Sequence, residues 1–205
     1  VKKSGSKVLV AFQFRFHPGL MKAKELISKG EIGRVISAHV HFGEYLPAWH
    51  PWEDYRQSYA ARADLGGGVI VTLTHPLDYL RFLLGDVVSL WSFNEHLSAL
   101  ELDVEDFAEI GLKFSSGAVG GVHINYFQRP AVHKLEIVGT DGTMRWDNAD
   151  GILHLFKMPA PFGSYSDLPP APVSESFSPP DGFERNQLFI AQTKHFIDMV
   201  HGTAE

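Results

Sequence analysis

A glycine triplet, Gly66 to Gly68, leads into an apolar stretch whose polar exceptions include Thr72, His75 and Asp78. Residues three apart on a helix share a face, so these three side chains are expected to point the same way. A histidine presented on such a face suits general acid-base work near neutral pH, because its ordinary pKa lies close to the operating pH. The alternative is a buried histidine hydrogen-bonded to its own helix or to a neighbouring strand. The glycines allow a tight turn or a close approach of the backbone to a ligand.

A second concentration of chemistry lies just upstream. Between Glu44 and Arg62, Tyr45, Trp49, His50, Trp52, Tyr55, Arg56 and Tyr59 crowd one segment. Aromatic faces stack on sugar rings, while arginine, aspartate and histidine exchange hydrogen bonds with hydroxyls or a carboxylate. Packing of the tryptophans onto a sheet is the other reading. His50 and Arg56 are the preferred contacts, with Tyr45, Trp52 and Tyr55 beside them, since polar tips are harder to explain by packing. The segment runs directly into the glycine triplet, so both are expected to line one cleft.

The elements that must position these residues follow from periodicity. Gly19 to Lys29 has helical spacing and stops at Gly30. Val35 to Tyr45 alternates as a strand, with Ile36, Ala38, Val40 and Phe42 opposite Ser37, His39, His41 and Gly43. One helix is expected from the glycine triplet to about Leu84, ended by Gly85. Strands are then expected over Ser89–Leu97, Asp106–Phe114, Ala118–Phe127, Val132–Val138, and Thr143–Trp146 with Ile152–Phe156. Their short glycine-containing connections read as turns of an antiparallel meander. Residues 158–181 hold seven of the twelve prolines and read as an extended surface loop. Glu184 to Val200 closes as an amphipathic helix. The expected class is α+β, an open and mainly antiparallel sheet with helices on one face. That leaves a mixed face, carrying Glu109, Lys113, His123 and Asn125, available to solvent or to a second subunit.

The motifs resemble one family in its order. Phe-Gln-Phe-Arg-Phe-His-Pro (12–18), Gly-Glu-Ile-Gly-Arg-Val (30–35), the triplet with His-x-x-Asp (66–78) and Leu-Glu-Ile-Val-Gly-Thr-Asp-Gly-Thr-Met-Arg-Trp (135–146) are similar to segments of the Gfo/Idh/MocA oxidoreductases. The resemblance implies a glyceraldehyde-3-phosphate dehydrogenase-like C-terminal domain. Residues 1–14 would then end a dinucleotide-binding domain, and residues 15–205 would form the substrate-binding and oligomerisation domain. It implies NAD or NADP, bound mainly by that other domain, and a sugar, sugar nucleotide or polyol as substrate. His75 becomes the proton carrier, with Thr72 standing where many members carry an aspartate that orients and charge-balances the histidine. Asp78 would serve as a substrate contact or a substitute for that aspartate. Arg15 would sit where the two domains meet, within reach of substrate, the alternative being a surface salt bridge. The open sheet face would meet a second copy. Because threonine brings no negative charge, a binding or scaffold protein that kept the fold and lost the chemistry is the second reading.

Composition excludes other classes. A net charge of -6 and no basic run longer than Lys2-Lys3 argue against nucleic acid. The absence of cysteine removes disulfides and thiolate metal sites and is expected of a cytoplasmic enzyme. No apolar run approaches the roughly 20 residues of a membrane-spanning helix. His39 and His41 share a strand face, but no third ligand accompanies them, and a metal site is not expected. No G-x-G-x-x-G cradle for a pyrophosphate lies between a strand and a helix.

Overall fold

The computed structural model describes residues 3–157 and 173–204. The chain enters through a 3-10 turn at Gln13–Phe16 and then forms α1, Pro18–Ser28. His17 caps this helix, its Nδ1 accepting from the Gly19 N–H at 3.1 Å, and Pro18 supplies the first helical residue at no hydrogen-bond cost. The strands are β1 (Val35–Tyr45), β2 (Val87–Glu95), β3 (Phe107–Phe114), β4 (Val119–Asn125), β5 (Phe127–Gly139), β6 (Gly142–Asp147), β7 (Leu153–Lys157) and β8 (Val173–Phe177). They form one sheet in the order β2-β3-β4-β1-β5-β6-β7-β8. Among the described residues three further α-helices accompany the sheet, α2 (Val69–Thr72), α3 (His75–Leu84) and α4 (Asn186–His201), and short 3-10 turns lie between β1 and α2. Among the described residues no helix is long and apolar enough to cross a membrane.

The sheet is α+β and mainly antiparallel, but it is not a meander. Strand β1 lies between β4 and β5, parallel to the first and antiparallel to the second. The chain leaves β4, turns at Tyr126 across the end of β1, and returns as β5. Gly43 makes that crossing possible, since a Cβ there would lie 2.6 Å from Gln128 Cβ and 2.8 Å from the Asn125 amide. One face buries Ala38, Val40 and Phe42 of β1 with Ala108, Ile110, Val122, Ile124, Leu135, Ile137 and Met144 under the helices. This is the alternation read from the sequence except at Ile36, which a register shift between Val35 and Ser37 leaves 43% exposed, and burial of this face is the main source of cohesion.

Two expectations about local structure change. The single helix after the triplet is two, because Pro76 has no N–H to give the Thr72 carbonyl and its ring would collide with it. The break falls at Leu73, and α3 restarts at His75. Thr72 therefore sits on a different helix from His75 and Asp78. The proline-rich segment is also not all loop: Val173–Phe177 pairs antiparallel with β7 as an edge strand. The part of that segment at 158–172 lies outside the described residues.

Candidate functional site

Two glycines of the triplet, Gly67 and Gly68, pack closely against protein, while Gly66 has open space around it. A side chain on Gly67 would strike the carbonyls of Tyr59, Ala60 and Arg62, and one on Gly68, whose φ is +114°, would strike the Glu105 carboxylate. The Glu105 carbonyl accepts from the Val69 N–H at 3.0 Å, and its carboxylate accepts from Ile70 at 3.2 Å. A carboxylate therefore occupies the start of α2, which leaves no room there for a phosphate. By tying the aromatic loop to α2, the triplet places both at the edge of one cavity.

That cavity measures about 940 Å³. Phe42 and Glu44 of β1 and His133 of β5 line it, together with Thr72, Leu73 and His75. Phe14 and His17 close one side, Trp49, His50 and Tyr59 another. The β6–β7 turn at Asn148–Gly151 and the segment from Pro179 to Leu188, with Phe183 and Arg185, complete the wall. Three buried polar atoms of this lining make no well-formed hydrogen bond: His75 Nδ1, Thr72 Oγ1 and Trp49 Nε1. The Thr72 hydroxyl lies beside that of Tyr126 and the Trp49 indole N–H lies near the Glu44 carboxyl, both short of good geometry. Buried polar groups left in this state are normally satisfied by water or ligand.

His75 is mostly buried, and burial holds its pKa below the ordinary histidine value. Asp78 opposes that shift and Arg185 adds to it. The ring is neutral near pH 7 and so free to accept a proton. Phe14 lies 5.0 Å from His75 and 4.9 Å from His133, centroid to centroid, and so spaces the two imidazoles. His133 stacks on Phe42 at 4.0 Å and pairs with the Tyr79 hydroxyl at 3.1 Å. Burial lowers its pKa to about 3 and that of His17 to about 4. Glu44 is shifted the other way, upward, by burial, against a pull from Arg185.

These buried imidazoles set a pH dependence. Between the unfolded value of about 6.5 and the lowered folded values, the unfolded chain binds protons that the folded chain refuses. Stability is therefore complete above about pH 6.5 and falls as pH drops toward 4 and then 3. Each histidine contributes a slope of up to about 1.4 kcal/mol per pH unit in that window. Urea midpoints measured from pH 7.5 to 4 should fall accordingly, and His133→Phe should flatten the curve. A pH-independent midpoint over that range would contradict this burial.

The other residues singled out in the sequence fall in different places. His50 lines the cavity, and Trp52, 76% exposed, packs edge-on to it at 5.3 Å. Asp78 is turned away from the cavity by Arg15, whose guanidinium donates to it at 2.6, 2.9 and 3.2 Å. Arg56 lies outside the cavity lining, held between Asp54 at 2.8 Å and Glu101 at 2.6 Å. Tyr55 accepts from the Glu101 N–H at 3.0 Å, and Tyr45 lies under the Arg129 guanidinium at 4.2 Å. Residues 12–18 stand out as a segment in the sequence, but nothing local shows that His17 joins the cavity with His133, which arrives through the sheet, and Arg185, which lies just ahead of α4.

Comparison with known proteins agrees with this architecture. The GFO/IDH/MocA C-terminal domain matches residues 20–145. The chain is 32% identical over 124 residues to 1,5-anhydro-D-fructose reductase of Ensifer adhaerens, covering 59% of this chain and 35% of that protein. It is 29% identical over 170 residues to levoglucosan dehydrogenase of Pseudarthrobacter phenanthrenivorans, covering 70% and 43%. The chain thus spans less than half the length of these relatives. A solved levoglucosan dehydrogenase in complex with NADH superposes with a TM-score of 0.82 at 20% identity, over 100% of this chain and 59% of that one. From the matched domain and the shared fold, this chain belongs to the GFO/IDH/MocA family as its C-terminal domain.

Proposed function

We propose that this chain is the substrate-binding half of an NAD(P)-dependent oxidoreductase acting on a sugar, sugar nucleotide or polyol. The observation that carries this reading is the convergence of a neutral, buried His75 with the under-bonded Thr72 hydroxyl and Trp49 indole on one cavity. A ligand rich in hydroxyls suits this lining of a neutral imidazole, a hydroxyl, a carboxyl and aromatic side chains. A levoglucosan dehydrogenase of the same fold has been solved with NADH and levoglucosan and with NADH and L-sorbose, which fits a sugar-like ligand.

His75 accepts the hydroxyl proton while the carbon-bound hydrogen departs as hydride, leaving a carbonyl. The nicotinamide supplies the hydride acceptor, or the donor in the reverse direction. Thr72 holds the reacting oxygen by a hydrogen bond and carries no charge of its own. His50, and Trp52 behind it, take the far side of the sugar. The pyrophosphate is held mainly outside these residues, since the start of α2 is already filled by Glu105. Titration of this chain alone with NAD or NADP should therefore show no micromolar binding. Calorimetry that finds such affinity would place a cofactor cradle within it. The whole reading is tested by screening the full-length protein for sugar-dependent cofactor reduction.

The open sheet face supports a homo-oligomer as the partner arrangement. Trp91, Phe93 and Val119 stand 60%, 54% and 49% exposed on it. Trp91 and His39 crowd the space above Gly111 and Gly121, which levels the surface for a flat contact. Sedimentation should give a dimer or tetramer that Trp91→Glu disrupts, and a monomeric full-length protein would refute it. A scaffold role is the second reading. Thr72 favours it, because no carboxylate balances an imidazolium at that position.

A further inference from the structure

An imidazole that moves protons needs a fixed orientation and a fixed tautomer, and the usual source is a hydrogen bond to one of its nitrogens. Two polar residues near His75 do not supply it. Asp78 accepts three contacts from the Arg15 guanidinium, and Thr72 lies beyond the helix break. The hydrogen bond that His75 does make comes from the entering 3-10 turn, where Gln13 Nε2 lies 3.4 Å from His75 Nε2. Gln13 is 6% exposed, unusual for an amide on the first turn of a domain. Its neighbours Phe12 and Phe14 pack on the His75 ring with centroids at 6.2 and 5.0 Å. The same turn carries Arg15, so alternate residues Gln13 and Arg15 grip His75 and Asp78, one turn of α3.

We propose that Gln13 is the positioning residue for His75. This rests on the catalytic reading above and deepens it. The amide N–H donates to Nε2, so the ring proton resides on Nδ1 and the Nε2 lone pair is the basic one. The contact is long enough for a substrate hydroxyl to replace the amide as donor, as is common before substrate binds. A neutral amide orients the ring without stabilising the imidazolium, which leaves the base uncharged at lower pH than a carboxylate partner would. The charged or titratable groups that also act on His75 are Asp78 on its own helix, Arg185 before α4, and His133 on β5.

The test uses the full-length protein with 15N-labelled histidine, following the His75 ring nitrogens by NMR from pH 5 to 9. The signal is identified by its loss in His75→Ala. Wild type should show one neutral tautomer protonated at Nδ1, titrating below the ordinary range. Gln13→Met, similar in size without the amide, should mix the tautomers while thermal unfolding confirms the fold. Gln13→Glu should switch the ring to the Nε2-protonated tautomer, because a carboxylate only accepts, and raise the titration midpoint by about one pH unit or more. An Nε2-protonated ring in wild type, or an unchanged tautomer and midpoint in both variants, overturns the proposal. These readouts need no turnover: if the ring behaves as described and no substrate is oxidised, the positioning role stands and the catalytic reading falls.

Discussion

His75→Ala in the full-length protein lowers turnover by about 10²–10⁴-fold, the range for removing a general acid-base group. Cofactor affinity, set mainly outside these residues, stays within about two-fold. Thr72→Ala costs far less, since it removes one hydrogen bond and no proton carrier. Thr72→Asp adds a negative charge near the imidazole and favours its protonated form. The unprotonated base is then reached only at higher pH, and the acid limb of the kcat/KM profile moves upward. The measurement is a pH-rate series on the three variants with one substrate the wild type oxidises. Near-full turnover by His75→Ala at every pH makes His75 a structural histidine and removes the catalytic role of this wall.

Trp146→Ala should cost about 3–5 kcal/mol of folding stability, the range for deleting a large buried aromatic side chain. Trp146 is 1% exposed. It lies 5.0 Å from His17, 5.1 Å from His133, 6.2 Å from Phe14 and 6.3 Å from Tyr79. From α1, Gly19 approaches so closely that a Cβ there would sit 2.7 Å from the indole. Removing the ring leaves a cavity beneath the histidines that line the site, so substrate affinity should fall along with stability. Trp146→Phe should be much milder, because it keeps a ring and removes a buried indole N–H that has no hydrogen-bond partner. Urea denaturation checks both variants, and a loss under about 1 kcal/mol for alanine would mean that the core closes over the gap.

What was legible in the sequence was what local periodicity encodes. The alternation of Ala38, Val40 and Phe42 marks the core face of β1 because successive strand residues point to opposite sides. Leu20 and Ala23 mark the buried stripe of α1 by their helical spacing. The helix break at Leu73 was written in Pro76, whose effect a continuous apolar run conceals. The place of β1 between β4 and β5 was not legible, since short loops suggest adjacent neighbours and only tertiary packing decides which strands pair. Strand β8 was hidden for a related reason: proline-rich flanks read as loop, and an edge strand needs only one partner. In the site, His75 and Thr72 line one cavity but from two helices, so their shared face does not come from the spacing on a single helix that the sequence suggests. His133 was not legible, because a histidine within an apolar strand gives no sign of whether it faces core or cavity.

The central place of β1 has a consequence for biosynthesis. Its residues 35–45 pair only with β4 and β5, at 119–125 and 127–139. At about 5–20 residues per second, roughly 90 further residues take some 5–20 s to emerge from the ribosome. Throughout that interval a strand from the sheet's middle, apolar on one face, has neither edge satisfied. Chains truncated before about residue 125 therefore carry an unpaired, aggregation-prone strand. Nascent chains stalled in that interval are natural clients for chaperones that bind extended apolar segments, a demand that ends once β5 is released.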